Sequence, residues 1–258
     1  MTNVIVIKCG GSIINELSEE FFSSIRDLKE QGYKIVIVHG GGPEINEMLS
    51  ALTIKSEFVN GLRKTTKEVL DVVEMILAGK VNKKFVAMFN CRDIKAVGLS
   101  GCDGNLLQAK PIDEKLLGFV GEVENVNAEL IHHLLDADYM PIISPIGICS
   151  KGQKFNINAD IAAGSIACAL KVKHLLFVTD VPGIMNNGKL LREVSAANVL
   201  DLIENGTIYG GMIPKVKAAI SSLTGSLEEV KIVTGKKSFI LGNGKIHGTK
   251  ITKQLEVV

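Results

Sequence analysis

Apolar and polar positions along the chain fall into two alternating kinds of segment. Short β-branched runs at Val4–Ile7, Lys34–Val38, Ala96–Leu99, Met140–Ser144 and His174–Thr179 are separated by longer stretches of helical period, among them Glu19–Glu30, Pro43–Leu52 and Ala196–Glu204. The short runs are apolar on both sides, as strands must be when crossover helices cover both faces of a parallel sheet. The pattern predicts an α/β fold with a mostly parallel central sheet. Two stretches break the rhythm, Thr53–Arg63 and Gly104–Asn127, where Gly, Pro, Asn and Asp punctuate weak alternation suited to hairpins and lids. Both are expected to border a substrate. Helix-stop signals at Lys171-Val172-Lys173 divide the chain into lobes of residues 1–172 and 173–258, and the lack of a Pro/Ser/Gly linker there predicts a sheet continuous through both.

Composition narrows the partner. The chain has 258 residues, 46% of them hydrophobic, and 29 basic side chains nearly cancel 28 acidic ones. No global field draws it to nucleic acid or to an acidic membrane, so a small molecule is the expected ligand. Five cysteines, Cys9, Cys91, Cys102, Cys149 and Cys168, lie in or beside apolar stretches without CxxC spacing, which predicts buried reduced thiols and a cytoplasmic address. The first residues lack the n-region and cleavage site of a signal peptide, and no apolar run approaches bilayer length.

The candidate chemistry sits in glycine loops. Lys8-Cys9-Gly10-Gly11-Ser12 follows the first predicted strand, where paired glycines allow close backbone approach and Lys8 adds a full positive charge. His39-Gly40-Gly41-Gly42-Pro43 follows the second, and Pro43 suits the start of a helix whose free N–H groups favour an anion. Two such loops at the carboxyl ends of parallel strands converge on one crevice. Asn158 is a natural N-cap for an Ala/Ile-rich helix, setting Asp160 in its first turn, and Asn156 lies just ahead of it. Gly210-Gly211-Met212-Ile213-Pro214-Lys215 feeds another helix, and a cation in its first turn calls for a compensating anion, either a bound phosphate or Asp160. Asn60-Gly61-Leu62-Arg63 places a guanidinium, suited to a carboxylate, on one of the hairpin stretches.

Other chemistries find no pattern. Gly183 to Leu190 has the spacing of a Walker A loop, but Leu190 replaces the required hydroxyl and the segment reads as a hairpin. The five histidines lack zinc-ligand spacing, and His39 reads as a structural donor. No GxSxG elbow or other nucleophile grouping is present.

Taken in order, these motifs, together with Thr179-Asp180-Val181-Pro182-Gly183-Ile184, resemble the amino acid kinase family nearly end to end. The Asn-Gly-Leu-Arg and Asn-x-Asn-Ala-Asp elements are similar to its acetylglutamate branch. The resemblance implies a three-layer α/β/α sandwich in which residues 1–172 bind N-acetyl-L-glutamate and pair as a homodimer, while residues 173–258 bind ATP with Mg2+. It implies that Lys8 and Lys215 stabilise the transferring phosphoryl group, that Asp160 holds both lysines, and that Gly10, Gly11, Gly41 and Gly42 offer N–H donors. It further implies that Arg63 and Asn156 bind the acceptor, and that Thr179, Asp180, Val181, Gly183, Ile184, Gly211 and Met212 line the nucleotide site. The metal rides on the nucleotide phosphates and takes no protein side chain. The chain starts directly at its first strand, without the extra helix of hexameric, arginine-inhibited members, which implies a dimer with little arginine feedback. Other acceptors (aminoadipate, glutamate, carbamate, a nucleoside monophosphate) and a catalytically silent sensor remain as alternatives at this level.

Overall fold

The computed structural model describes residues 3–223, 225, 227–241 and 244–253. The outermost positions of the two expected lobes, 1–2 and 254–258, lie outside the described residues. Eight strands form the central sheet: β1 (Val4–Cys9), β2 (Lys34–His39), β3 (Ala96–Ser100), β4 (Met140–Ser144), β5 (His174–Thr179), β6 (Glu193–Ser195), β7 (Glu229–Thr234) and β8 (Thr249–Thr252). Their spatial order is β6-β8-β7-β5-β1-β2-β4-β3, and every neighbouring pair is parallel except β7 with β8. The sheet therefore runs unbroken from one expected lobe into the other through the β1–β5 pairing.

Side-chain alternation along these strands builds two cores. Val4, Val6, Val36, Val38, Leu175 and Phe177 face one cluster, which holds the helix Ala159–Ala169. Ile5, Ile7, Ile35, Ile37, Leu176 and Val178 face the other, which holds the helices Glu19–Glu30 and Gly42–Ala51. A period of two puts successive residues on opposite faces, so two cores divided odd from even are the signature of helices on both sides. This is the three-layer α/β/α sandwich; the sequence placed β1 to β5 and the helices at 19–30, 43–52 and 196–204 to within a residue or two, and left β6, β7 and β8 unassigned.

The two irregular stretches fold as hairpins. Glu57–Val59 pairs antiparallel with Leu62–Lys64 across Asn60-Gly61, both with positive φ, as a two-residue turn of this handedness demands. Leu107–Pro111 pairs antiparallel with Val120–Val126, and the short strands Ile146–Ile148 and Lys154–Ile157 close these into a small four-stranded barrel. Sequence periodicity did not assign the region from Lys67 to Asn90, which is one helical run interrupted by a π-helical turn at Met75–Val81.

The expectation of buried thiols needs correction. No disulfide joins any of the five cysteines, but only Cys9 is buried, Cys91 is exposed and the others are half-buried. Cys91 follows the last helical residue, Asn90, at the surface, where its thiol donates to the Met88 carbonyl oxygen at 3.3 Å. Among the described residues no helix is long and apolar enough to cross a membrane.

Candidate active site

Three cavities lie in a row along the carboxyl ends of β1, β2 and β5, and charged residues are shared between neighbours. Lys8 and Asp160 line both the first and the second. Asp180 and Lys215 line both the second and the third.

The first cavity lies where the two glycine loops meet. A Cβ at Gly11 would sit 2.8 Å from the Gly41 nitrogen and 2.9 Å from the Gly42 nitrogen, so the absence of a side chain is what lets the backbones approach. Gly11, Gly41, Gly42, Arg63 and Asn156 all line it. Arg63 is 8% exposed, donates to Asn46 Oδ1 at 2.7 Å and to the Ser56 hydroxyl, and lies over the Phe58 ring at 4.6 Å. Burial pulls its guanidinium below the ordinary arginine range, yet an arginine stays charged at any physiological pH. A buried cation without a carboxylate partner among the described residues is a natural receptor for an anionic ligand.

Asn156 is oriented by a residue that sequence reading passed over. Its amide donates to Thr65 Oγ1 at 3.1 Å, and that hydroxyl donates to the Arg63 carbonyl oxygen at 2.7 Å. Thr65 is fully buried and its backbone pairs with Leu117 and Phe119, around a Gly118 whose φ is +68°. A Cβ at Gly118 would fall 2.3 Å from the Thr65 carbonyl oxygen. Nothing in the local pattern marks Thr65; its role follows from a chain crossing only the fold creates.

Below the glycine triplet, His39 is fully buried, stacked on Phe85 at 5.6 Å. Its Nδ1 donates to the Gly40 carbonyl oxygen at 2.9 Å, and its Nε2 accepts from the Asn82 amide at 3.1 Å, the tautomer that satisfies both partners. Asn82 also donates to the Ile142 carbonyl oxygen at 2.8 Å. Burial lowers the His39 pKa to about 4, so the ring is neutral and structural. Cys9 is fully buried and its thiol is pushed up to about 12 by that burial, against the opposing pull of Lys8. No thiolate nucleophile arises there.

The second cavity holds the charges. Lys8 Nζ pairs with Asp160 Oδ1 at 2.8 Å, while Asn158 Oδ1 accepts from the backbone N–H of Asp160 at 2.8 Å and of Ile161 at 3.2 Å, as its N-cap position predicts. Gly10 and Thr179 line this cavity, and Thr179 therefore faces the charges rather than the third cavity. Lys215 projects from the first turns of the helix Met212–Ser222. Its ion pair is with Asp180 and not with Asp160, which departs from the arrangement the resemblance implied. The Lys215 ammonium beside Asp180 holds that carboxyl below its ordinary range.

The third cavity is the roomiest of the row, about 290 Å³, apolar at Ile184, Met185, Ile208 and Met212 and charged where it meets the second. Asp180, Val181, Gly183, Ile184, Gly211 and Met212, the residues that the resemblance assigns to a nucleotide, line it together. Thr207, Ile208 and Tyr209 also line it, and these were not foreseen. Thr249, fully buried, accepts from the Ile184 backbone at 2.8 Å and donates to the Leu191 carbonyl oxygen at 2.6 Å, fixing the wall. No local pattern marks Thr249; the fold brings it against Gly183, where a Cβ would fall 2.5 Å from its hydroxyl.

Known proteins place the chain. It is 57% identical to the acetylglutamate kinase of Geobacillus sp. (strain WCH70) over 257 residues, covering 100% of each chain. It is 56% identical to that of Geobacillus kaustophilus (strain HTA426), covering 100% of this chain and 99% of the relative. Among solved structures, smu.665 from Streptococcus mutans UA159 superposes with a TM-score of 0.86 at 30% identity, covering 98% of this chain and 100% of that one. The sequence profile of the amino acid kinase family matches residues 3–234, and the chain belongs to that family.

Proposed function

We propose that the protein transfers the terminal phosphoryl group of ATP, presented as its magnesium complex, to the side-chain carboxylate of N-acetyl-L-glutamate, an early step of arginine biosynthesis. Full-length likeness to acetylglutamate kinases supports the reaction and the acceptor. The structural observation that carries it is the pair of lysines bounding one central cavity, Lys8 toward the Arg63 side and Lys215 toward the apolar cavity.

In this reading the nucleotide base and sugar occupy the third cavity and the acceptor occupies the first. The acceptor carboxylate, with a pKa of about 4.3, is already ionised and needs no general base. One of its oxygens bonds to the terminal phosphorus as the bond to the bridging oxygen breaks, and ADP leaves with that electron pair. Repulsion between two anions is the obstacle, so positioning and positive charge do the catalysis. Arg63 and Asn156 hold the acceptor, Gly10, Gly11, Gly41 and Gly42 direct N–H groups to it and to the phosphoryl oxygens, and Lys8 and Lys215 face the charge in transit. Asp160 holds Lys8 in place. The magnesium complex, as substrate, brings its own charge neutralisation to the phosphates. Residues 1–172 form the acceptor lobe and residues 173–258 the nucleotide lobe, and the protein works as a cytoplasmic homodimer joined through the former.

Hydroxylamine trapping of the acyl phosphate tests the reaction, with N-acetyl-L-glutamate, aminoadipate, glutamate and carbamate offered in parallel. Hydroxamate and ADP release dependent on N-acetyl-L-glutamate are expected. Preference for another acceptor, or nucleotide binding without acceptor-dependent ADP release, overturns the assignment.

A further inference from the structure

Lys215 is held by a different carboxylate from the one its catalytic role calls for. Its ion pair is with Asp180, at the carboxyl end of β5, and both residues border the second and third cavities at once. The pair therefore stands at the neck through which a nucleotide seated in the third cavity extends its phosphates toward Lys8. An anion at that neck repels a polyphosphate, and a lysine committed to it is not free to bind one. Neither partner is buried, the side chains being 31% and 51% exposed, so exchange of partners carries little desolvation cost. The environment of Asp180 is cationic on a second side through Lys236, which is itself paired with Glu16 beyond the first glycine loop.

We propose that Asp180 is a positioning residue that parks Lys215 at the neck of the empty site and releases it to the nucleotide phosphates on binding. The proposal rests on the reading of the third cavity as the nucleotide site, and it is independent of which acceptor is used. Asp160, already paired with Lys8, then has a single lysine to hold in the empty enzyme, and the two catalytic cations are kept apart until phosphate draws them together.

A thermodynamic cycle tests this. ADP and a non-hydrolysable ATP analogue, each with magnesium, are titrated by calorimetry into the parent protein, Asp180→Asn, Lys215→Met and the double variant. Asp180→Glu serves as the conservative control, and unchanged thermal unfolding verifies each fold. Parking predicts that Asp180→Asn tightens both ligands by about 5-fold, the scale of one exposed ion pair plus one like charge. With Lys215→Met already present the same change should give only about 2-fold, the like-charge part alone, because no parked lysine is left to release. Asp180→Glu should restore the parent affinity. An equal gain in both backgrounds makes the effect simple charge repulsion and overturns the proposal, as does weaker binding by Asp180→Asn. Parent protein that binds neither nucleotide removes the functional reading and the parking with it, whereas binding without the predicted coupling removes the parking alone.

Discussion

Lys8 and Arg63 sit in the same cavity but are held in different ways. Lys8 leans on Asp160 and points along the row of cavities, while Arg63 is anchored sideways by Asn46, Ser56 and Phe58. Lys8→Met should therefore lower kcat by about 100-fold or more, the usual loss of a preorganised electrostatic contact, with little change in acceptor KM. Arg63→Ala should do the reverse, raising acceptor KM chiefly, and Arg63→Lys should rescue it poorly because an ammonium cannot reproduce the two-pronged contact. Steady-state kinetics on the acceptor separate the two; a common fall in kcat for both would dissolve the distinction.

His39 carries a prediction about stability. Its unfolded imidazole takes up a proton below about 6.5, whereas in the fold burial lowers its pKa to about 4. The unfolded chain binds the extra proton across that window, so stability present at neutral pH is lost as the pH falls from 6.5 to 4, at about 1.4 kcal/mol per unit. Urea unfolding at pH 7, 6 and 5 should show this slope in the parent protein and a shallower one in His39→Gln. At the scale of single residues the charged groups were legible, because Lys8, Arg63, Asp160 and Lys215 lie beside glycines or caps that announce them. The polar residues that brace Asn156, His39 and the Ile184 backbone were not: Thr65, Asn82 and Thr249 act across long sequence separations, which no local pattern encodes.

Glycines at the ends of β1 and β2 look alike in sequence and differ in what surrounds them. At Gly11 an added methyl meets backbone of the facing loop at 2.8 Å, and backbone cannot rotate aside. At Gly42, the first residue of the helix Gly42–Ala51, it meets nothing within 4 Å. Gly11→Ala should cost about 3 kcal/mol, the upper end of the overpacking range, and abolish turnover by forcing the loops apart. Gly42→Ala should keep or slightly raise Tm, since alanine suits a helix better, while raising acceptor KM because the residue lines the first cavity. Equal Tm values for the two variants would refute the close contact of the loops. Elements with a clean period, such as β2 and the helix Glu19–Glu30, were read from sequence, whereas Thr53–Arg63 was read only as a stretch suited to a hairpin or lid, without its strands at 57–59 and 62–64. The run from Lys67 to Asn90 was not assigned, and the π-helical turn at its centre gives a physical reason: an extra residue there shifts the apolar stripe out of phase. That turn brings Leu77 and Val81 against Gly41, where a Cβ would fall 2.7 Å from a Leu77 methyl.

Across the whole molecule, the two cores are separated by the faces of the sheet and not by the two lobes. Each draws on residues from both sides of position 172: Val6 packs in one cluster with Val230, and Ile7 in the other with Val233. Phe239 lies 5.6 Å from Phe21, Gly235 accepts from the Ser18 backbone at 3.0 Å, and Lys236 pairs with Glu16, so the segment after β7 is fastened to the segment after the first glycine loop. Division of labour between lobes is thus compatible with one folding unit. A cut between 172 and 173 would bare the β1 and β5 edges along their whole pairing and open both cores, each large apolar side chain forfeiting about 1.5–3 kcal/mol of burial. Calorimetry should accordingly give one cooperative transition, raised as a whole by ADP, which stabilises by binding only the folded form. Fragment 1–172 alone should lack the dispersed amide spectrum of a folded protein. Two resolved transitions with only the later one shifted by ADP, or a well-dispersed fragment, would show that the lobes fold independently, and the shared sheet would then be an assembly of two domains.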